Sequence, residues 1–268
     1  MHTALRISLI EAFAMSGSPA LGQSDPIAID VLIQPDSRMP TEAQTWNARN
    51  REQSPEGFEL DEEHAPHFTL IQMFVAESDL PEVLAAVDGV RSMFDLESPE
   101  MTAIGLYHLP SGTIGLAGIV IEPSEDLRAL QRAAIEAVYG HAREGGGEAA
   151  FVPDRSGTRF DPFLFEYVET SVPSQTGEQF NPHVTIGVAP LGWLRVLEEE
   201  PFDRCTFGAK GIATDQLGNF GTASKRLDGE SAGCSRGQRL LPADPSPRRA
   251  RPRAAELGPS GSNHWGVN

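Results

Sequence analysis

The strongest constraint on this chain is a four-residue word that it uses twice. Residues 67–70 read His67-Phe68-Thr69-Leu70 and residues 183–186 read His183-Val184-Thr185-Ile186, and a proline (Pro66, Pro182) precedes each. Both words open apolar runs. Successive side chains of a β-strand point to opposite faces, so the His and Thr of each word share one face. Phe68 and Leu70, or Val184 and Ile186, then point into a core. A lone His-x-Thr occurs by chance in many chains; two copies in matched apolar settings do not arise so easily.

The chain around the two words reads as alternating strands and helices. Ile27 to Ile33 is β-branched and apolar and predicts a central strand. Thr41-Glu42-Ala43-Gln44 after Pro40 has a capping-box pattern, which predicts a helix start there and an end by Pro55-Glu56-Gly57. Leu80, Val83, Leu84, Val87, Val90 and Phe94 fall at helical spacing, with Asp79 placed to cap. The apolar runs Met101–Leu109 and Thr113–Ile121 flank Pro110-Ser111-Gly112 and predict a hairpin. Pro123-Ser124 opens a further helix with Leu127, Leu130, Ala134 and Val138 on one stripe. Gly145-Gly146-Gly147 predicts a loop and lacks the spacing of a nucleotide-binding fingerprint. Phe163–Val168 reads as a strand, Ser174 to Glu178 as a loop and Leu191–Leu197 as a short helix. Cys205 to Leu227 reads as short strands joined by a turn at Gly218-Asn219-Phe220-Gly221, and Glu198–Glu200 as a solvated helix end.

The two ends have another character. Residues 1–24 have the outline of an export signal, with Arg6, an apolar Ile7–Met15 interrupted by Glu11, and Ala20-Leu21-Gly22. Export is the expectation this supports, with a cytoplasmic location as the alternative. Residues 229–268 hold six Arg and five Pro with a single aromatic, a composition that does not bury a core and predicts a disordered tail. The expected domain is therefore residues 25–228. No run of about 18 apolar residues is present to predict a membrane-spanning helix. Cys205 and Cys234 are too few for a disulfide framework and have no metal-binding spacing.

Charge narrows the partners. The chain carries a net charge of −17; the tail contributes +3, which leaves −20 on the remainder. Grip on a nucleic-acid backbone is largely electrostatic, so long RNA or DNA is not an expected partner. A small anion in a locally favourable cleft is compatible with such a surface, because exposed charges are screened over ~8–10 Å.

Two histidines in one cleft can serve as acid and base together, since an ordinary imidazole titrates near roughly 6.5. One takes a proton from an attacking oxygen while the other gives one to the leaving oxygen, which suits in-line displacement at phosphorus. The two threonine hydroxyls, on the same strand faces, are placed to donate to the non-bridging phosphate oxygens. His67, Thr69, His183 and Thr185 are therefore the candidate catalytic residues, and this chemistry asks for no metal or cofactor. A metal at His64 and His67 is the competing reading; Pro66 between them disfavours a shared helical face, and no second cluster completes a site.

The paired words, with histidines 116 positions apart, resemble those of the 2H phosphoesterase superfamily, over the stretch Ile27–Leu227 in the manner of bacterial members described as 2′-5′ RNA ligase or cyclic phosphodiesterase. The resemblance implies a bilobal α/β (α+β) fold in which two antiparallel sheets face a central cleft with helices outside. It implies that His67, Thr69, His183 and Thr185 line that cleft. It also implies a substrate that is a 2′,3′-cyclic phosphate or a related cyclic or 2′-5′ phosphodiester, on a small nucleotide or at an RNA end, with hydrolysis leaving a 2′-phosphate. His67 is then expected as the acid and His183 as the base, reversed for ligation. RNA-processing members often carry basic residues near the cleft; here Arg155 and Arg159 are the best placed, and that scarcity weighs against ligation more than against hydrolysis. Phe68, Phe180 and Tyr167 are aromatics that could stack a base, although alternation turns Phe68 to the core. The alternatives are a 2′-5′ RNA ligase and a non-catalytic module binding nucleotides or RNA ends.

Overall fold

The computed structural model describes residues 25–61, 64–94, 100–153, 157 and 159–228. The signal-like stretch, Arg155 and the Arg/Pro-rich tail lie outside them. In chain order the elements are β1 (Pro26–Pro35), α1 (Arg38–Gln53), β2 (Phe68–Ala76), α2 (Leu80–Met93), β3 (Met101–Ser111), β4 (Ile114–Ile121), α3 (Glu125–Val138), β5 (Ala142–Arg143), α4 (Pro162–Ser174), β6 (His183–Pro190), α5 (Leu191–Glu198), β7 (Cys205–Phe207), β8 (Ala209–Leu217) and β9 (Ala223–Arg226). The mixed α/β class follows from the sequence as expected.

The strands make one hydrogen-bonded antiparallel sheet in the order β7-β3-β4-β6-β2-β1-β8-β9, with β5 paired to β2. The expectation of two separate sheets is corrected in this respect. The sheet has two halves, four strands (β7-β3-β4-β6) and five (β2-β1-β8-β9 with β5 on β2), and they meet through a single residue pair, Phe68 of β2 with Val184 of β6. The two repeated words thus form the seam themselves.

Several local expectations are also revised. Phe163–Val168 is part of α4 and not a strand. Asp161 caps that helix by accepting from the Phe163 amide, Pro162 occupies its first turn, and Leu164, Val168 and Ser171 fall on its buried face. Helix α1 starts at Arg38, ahead of the Thr41 box, and Thr41 instead donates its hydroxyl to the Ser37 carbonyl. Asp79 precedes α2 without capping it, because its carboxylate is taken by Arg143. The hairpin strands run on to Ser111, so that Gly112, at φ +60°, and Thr113 make the turn. Ser124 caps α3 and the predicted stripe is its buried face.

Each word carries a β-bulge at its fourth residue. Val31 pairs with Ile71 but Leu32 with Thr69, so Leu70 is the extra residue of β2. Ala117 pairs with Gly187 but Gly118 with Thr185, so Ile186 is the extra residue of β6. The bulge leaves the Ile186 carbonyl out of the ladder with β4. Two buried amides of α1 reach it, Asn47 Nδ2 at 3.2 Å and Asn50 Nδ2 at 3.1 Å. Asn47 also donates to the Phe58 carbonyl and accepts from the Leu60 amide. Asn47→Ala therefore strips partners from three buried backbone groups. Unfolding is expected to become about 2–4 kcal/mol easier, which thermal denaturation will show as a melting point lower by roughly 5–15 °C.

Candidate functional site

The geometry of the words follows from the seam. Phe68 and Val184, fully buried, face each other in an antiparallel pair, and Leu70 and Ile186 lie beneath them in the core. That register sets His67 opposite Thr185 and Thr69 opposite His183, on the other face of the sheet. The two histidines become diagonal neighbours, roughly 7–8 Å apart at the backbone in a regular pair. His67, Thr69, His183 and Thr185 all line one cleft of about 140 Å³.

Both rings are held the same way. His67 Nδ1 is 2.7 Å from the Ala65 carbonyl and His183 Nδ1 is 2.8 Å from the Asn181 carbonyl. A carbonyl can only accept, so each Nδ1 carries a proton. Each carbonyl belongs to the residue before a proline, where the chain is restricted to extended conformations. Pro66 and Pro182 thereby pre-set the acceptor that fixes each imidazole. The Nε2 atoms are left for the chemistry.

What surrounds the Nε2 atoms differs, and the difference separates the two rings. Asp30, fully buried at the centre of β1, places Oδ2 3.5 Å from His67 Nε2. The same oxygen accepts from Thr69 Oγ1 at 2.7 Å and from Gln72 Nε2 at 3.1 Å. The bulge at Leu70 is what brings Thr69 and Gln72, three residues apart, onto one face. Burial pulls the His67 imidazole down, but hydrogen bonding to Asp30 and its negative charge outweigh that, and the net shift is upward. Beyond Asp30, its β8 neighbour Asp215 is held by Arg226 at 2.6 Å; burial and the adjacent Asp30 push its carboxyl up to about 6.

His183 moves the other way. Burial lowers its pKa, and the nearby His67 adds to the effect. With Nδ1–H committed to Asn181, its Nε2 accepts from the Tyr107 hydroxyl at 2.9 Å. Burial raises the Tyr107 phenol well above its ordinary range, so it remains a donor. Its ring meets the imidazole edge-on, with centroids 4.7 Å apart. Gly118 makes this possible, because a Cβ there would lie 2.6 Å from Tyr107 Cε1 and 3.1 Å from His183 Cδ2.

The remaining sequence expectations sort clearly. Thr69 lines the cleft, but its hydroxyl proton goes to Asp30, so the expectation that it donates to a phosphate oxygen is replaced by a role in holding that carboxylate. The Thr185 hydroxyl has no hydrogen-bond partner among the described residues. Tyr167 reaches the cleft, whereas Phe68 and Phe180 are buried away from it. Arg159 lines a separate recess with Glu148, Phe151 and Phe160. His108 and His141, for which sequence offers no partner, sit 2.7 Å from Glu198 and 3.8 Å from Asp79. Glu200, expected in solvent, pairs with Arg49 at 2.8 Å. Among the described residues no group of three or more His, Cys, Asp and Glu is arranged to hold a metal ion.

Periodicity did not single out four further residues that line the cleft, Gln72, Tyr107, Asp161 and Phe220, nor Asp30, which lies buried behind His67. Asp30 had a signal in the sequence, as the one charge inside the apolar stretch Ile27–Ile33. Phe220 is the one non-glycine residue at positive φ (57°) among those described, which costs about 1–2 kcal/mol. It lines the cleft and packs on Phe58, with ring centroids 5.5 Å apart.

Residues 35–200 match the model of the 2′-5′ RNA ligase superfamily, which spans both words and most of the cleft. No curated protein matches the chain.

Proposed function

The chain belongs to the 2′-5′ RNA ligase superfamily, the 2H phosphoesterases, and from that membership we propose a metal-independent phosphodiesterase that opens 2′,3′-cyclic phosphates or related cyclic or 2′-5′ phosphodiesters by acid–base catalysis between His67 and His183. The observation that carries this reading is the pair of Nε2 atoms at one cleft, each ring fixed by the same backbone contact, with pKa values pushed in opposite directions. Environments that drive two titratable groups apart assign the acid and the base.

His67, raised, is the acid, and His183, lowered, is the base. A water takes the place of the Tyr107 hydroxyl at His183 Nε2, gives that atom its proton and attacks phosphorus. The P–O3′ bond breaks, and His67 Nε2–H protonates the departing 3′ oxygen, so the product is a 2′-phosphate. Thr185 and the displaced Tyr107 hydroxyl donate to the non-bridging oxygens. Each proton transfer is worth typically ~10²–10⁴-fold in rate. Ligation is the same path with a 5′-hydroxyl in the place of water and the two histidines in the same roles, and scission of a 2′-5′ linkage is its reverse, with the roles exchanged.

Purified protein incubated with a 2′,3′-cyclic nucleotide in excess EDTA is expected to turn it over, with phosphorus NMR showing the 2′-phosphate alone. Turnover abolished by chelation and restored by metal, or binding without turnover, would replace this reading with a metal-dependent enzyme or a binding module.

A further inference from the structure

The walls of the cleft carry more information than its catalytic floor. Apart from the two imidazoles, no side chain that can carry positive charge lines it among the described residues. The nearest arginine to the buried acids, Arg226, is held by Asp215 and Asp228, and Arg159 lines its own recess. Above the histidines the lining becomes apolar and aromatic, with Leu109, Leu116, Leu164, Tyr167 and Phe220. At the rim stand exposed Ile114 and Phe163. Between them Ser111 Oγ donates to Asp161 Oδ2 at 3.0 Å, which ties the tip of β3 to the start of α4.

The site is therefore one anion-sized polar floor under an apolar shaft, with a carboxylate at the exit. His67 is little exposed and Asp161 is exposed on the same cleft, so a substituent that reaches outward from the floor comes within the field of the Asp161 carboxylate. An uncharged nucleoside suits that path, because an aromatic base can lie on Phe220 or Tyr167 without losing a hydrated charge. A second phosphate does not, since it meets no cation and approaches Asp161. At the α4 N-terminus Pro162 has no N–H to offer and the Phe163 amide is already taken by Asp161.

We propose that this cleft selects phosphodiesters with a single negative charge and an uncharged aromatic substituent, cyclic mononucleosides in particular, and rejects those bearing a further phosphate, with Asp161 as the discriminating residue. The proposal rests on the phosphodiesterase reading of the floor and extends it to the substrate.

The test compares adenosine 2′,3′-cyclic phosphate with its 5′-phosphorylated form on the same preparation. kcat/KM is expected to favour the unphosphorylated nucleotide by roughly tenfold or more at low salt, with the ratio falling as salt screens the repulsion. Asp161→Asn keeps a good helix cap and is expected to narrow the ratio several-fold. Equal turnover of both nucleotides, or preference for the 5′-phosphorylated one, overturns the proposal; a ratio unchanged in D161N overturns the role of Asp161. If neither nucleotide turns over, the phosphodiesterase reading fails by itself. Calorimetric Kd values for the same two compounds then decide the charge preference, and absence of binding by both overturns it as well.

Discussion

His67→Ala and His183→Ala are each expected to lower kcat/KM for a 2′,3′-cyclic nucleotide by about 10²–10⁴-fold, and the double variant to lose far less than the product of the two. The two single losses are not equivalent. An acid matters only while the leaving oxygen needs a proton, so a phosphodiester with a nitrophenolate leaving group should recover most of the activity of His67→Ala and little of that of His183→Ala. The opposite pattern would exchange the roles. The pH profile carries the same asymmetry. His183 has to be neutral, and its lowered pKa puts the acid limb below the ordinary imidazole value. His67 has to be protonated, and its raised pKa puts the alkaline limb above it. A bell with its plateau between the two limbs is expected from kcat/KM against pH, and a flat profile from about pH 5 to 8 would rule out this pair of titrating groups.

The parts of the molecule legible in the sequence were those governed by local repetition. The words themselves, the stripe of α3, the hairpin of β3 and β4 and the turn before β9 all follow from spacing and turn chemistry. The prolines before each histidine were legible too, but not their effect, because the carbonyl they aim is recognisable only once the ring is seen to bond to it. Phe163–Val168 misled because a dense apolar run fits a strand as well as a helix, and Asp161-Pro162 as a helix start decided it. The bulges at Leu70 and Ile186 could not be read, since an extra residue is defined only against the neighbouring strand. The Asp30–Thr69–Gln72 cluster depends on one of them, and so it stayed hidden although each residue was in plain view. A word that ends in a bulge has a physical rationale. The bulge ends strict alternation just past the catalytic pair, and at β2 it turns Gln72 back towards the cleft, where strict alternation from Thr69 would have placed Ile71.

Asp30→Asn is expected to have the next largest effect, and its signature separates a positioning role from a merely structural one. Asn keeps the size of the side chain and an oxygen to accept from Thr69, but removes the charge that holds His67 up. Burial then acts on that imidazole with only the Ala65 carbonyl and the more distant Asp215 against it, and the alkaline limb of the pH profile moves to lower pH. Activity at pH 8 should fall by about tenfold or more while activity near pH 6 falls less, since protonated acid is lost tenfold per unit of pH beyond its pKa. A uniform fall with an unmoved limb would mean that Asp30 only supports the strand. Asp215→Asn, one step further from the ring, should move the limb less in the same direction. Stability gives the independent check. Asp30 is an ion at the centre of a sheet whose second oxygen, Oδ1, has no hydrogen-bond partner, and a buried charge so placed is costly to fold around. Its removal is therefore expected to leave the melting temperature unchanged or raise it while slowing the reaction, which is the trade expected of a residue whose cost is offset only in function.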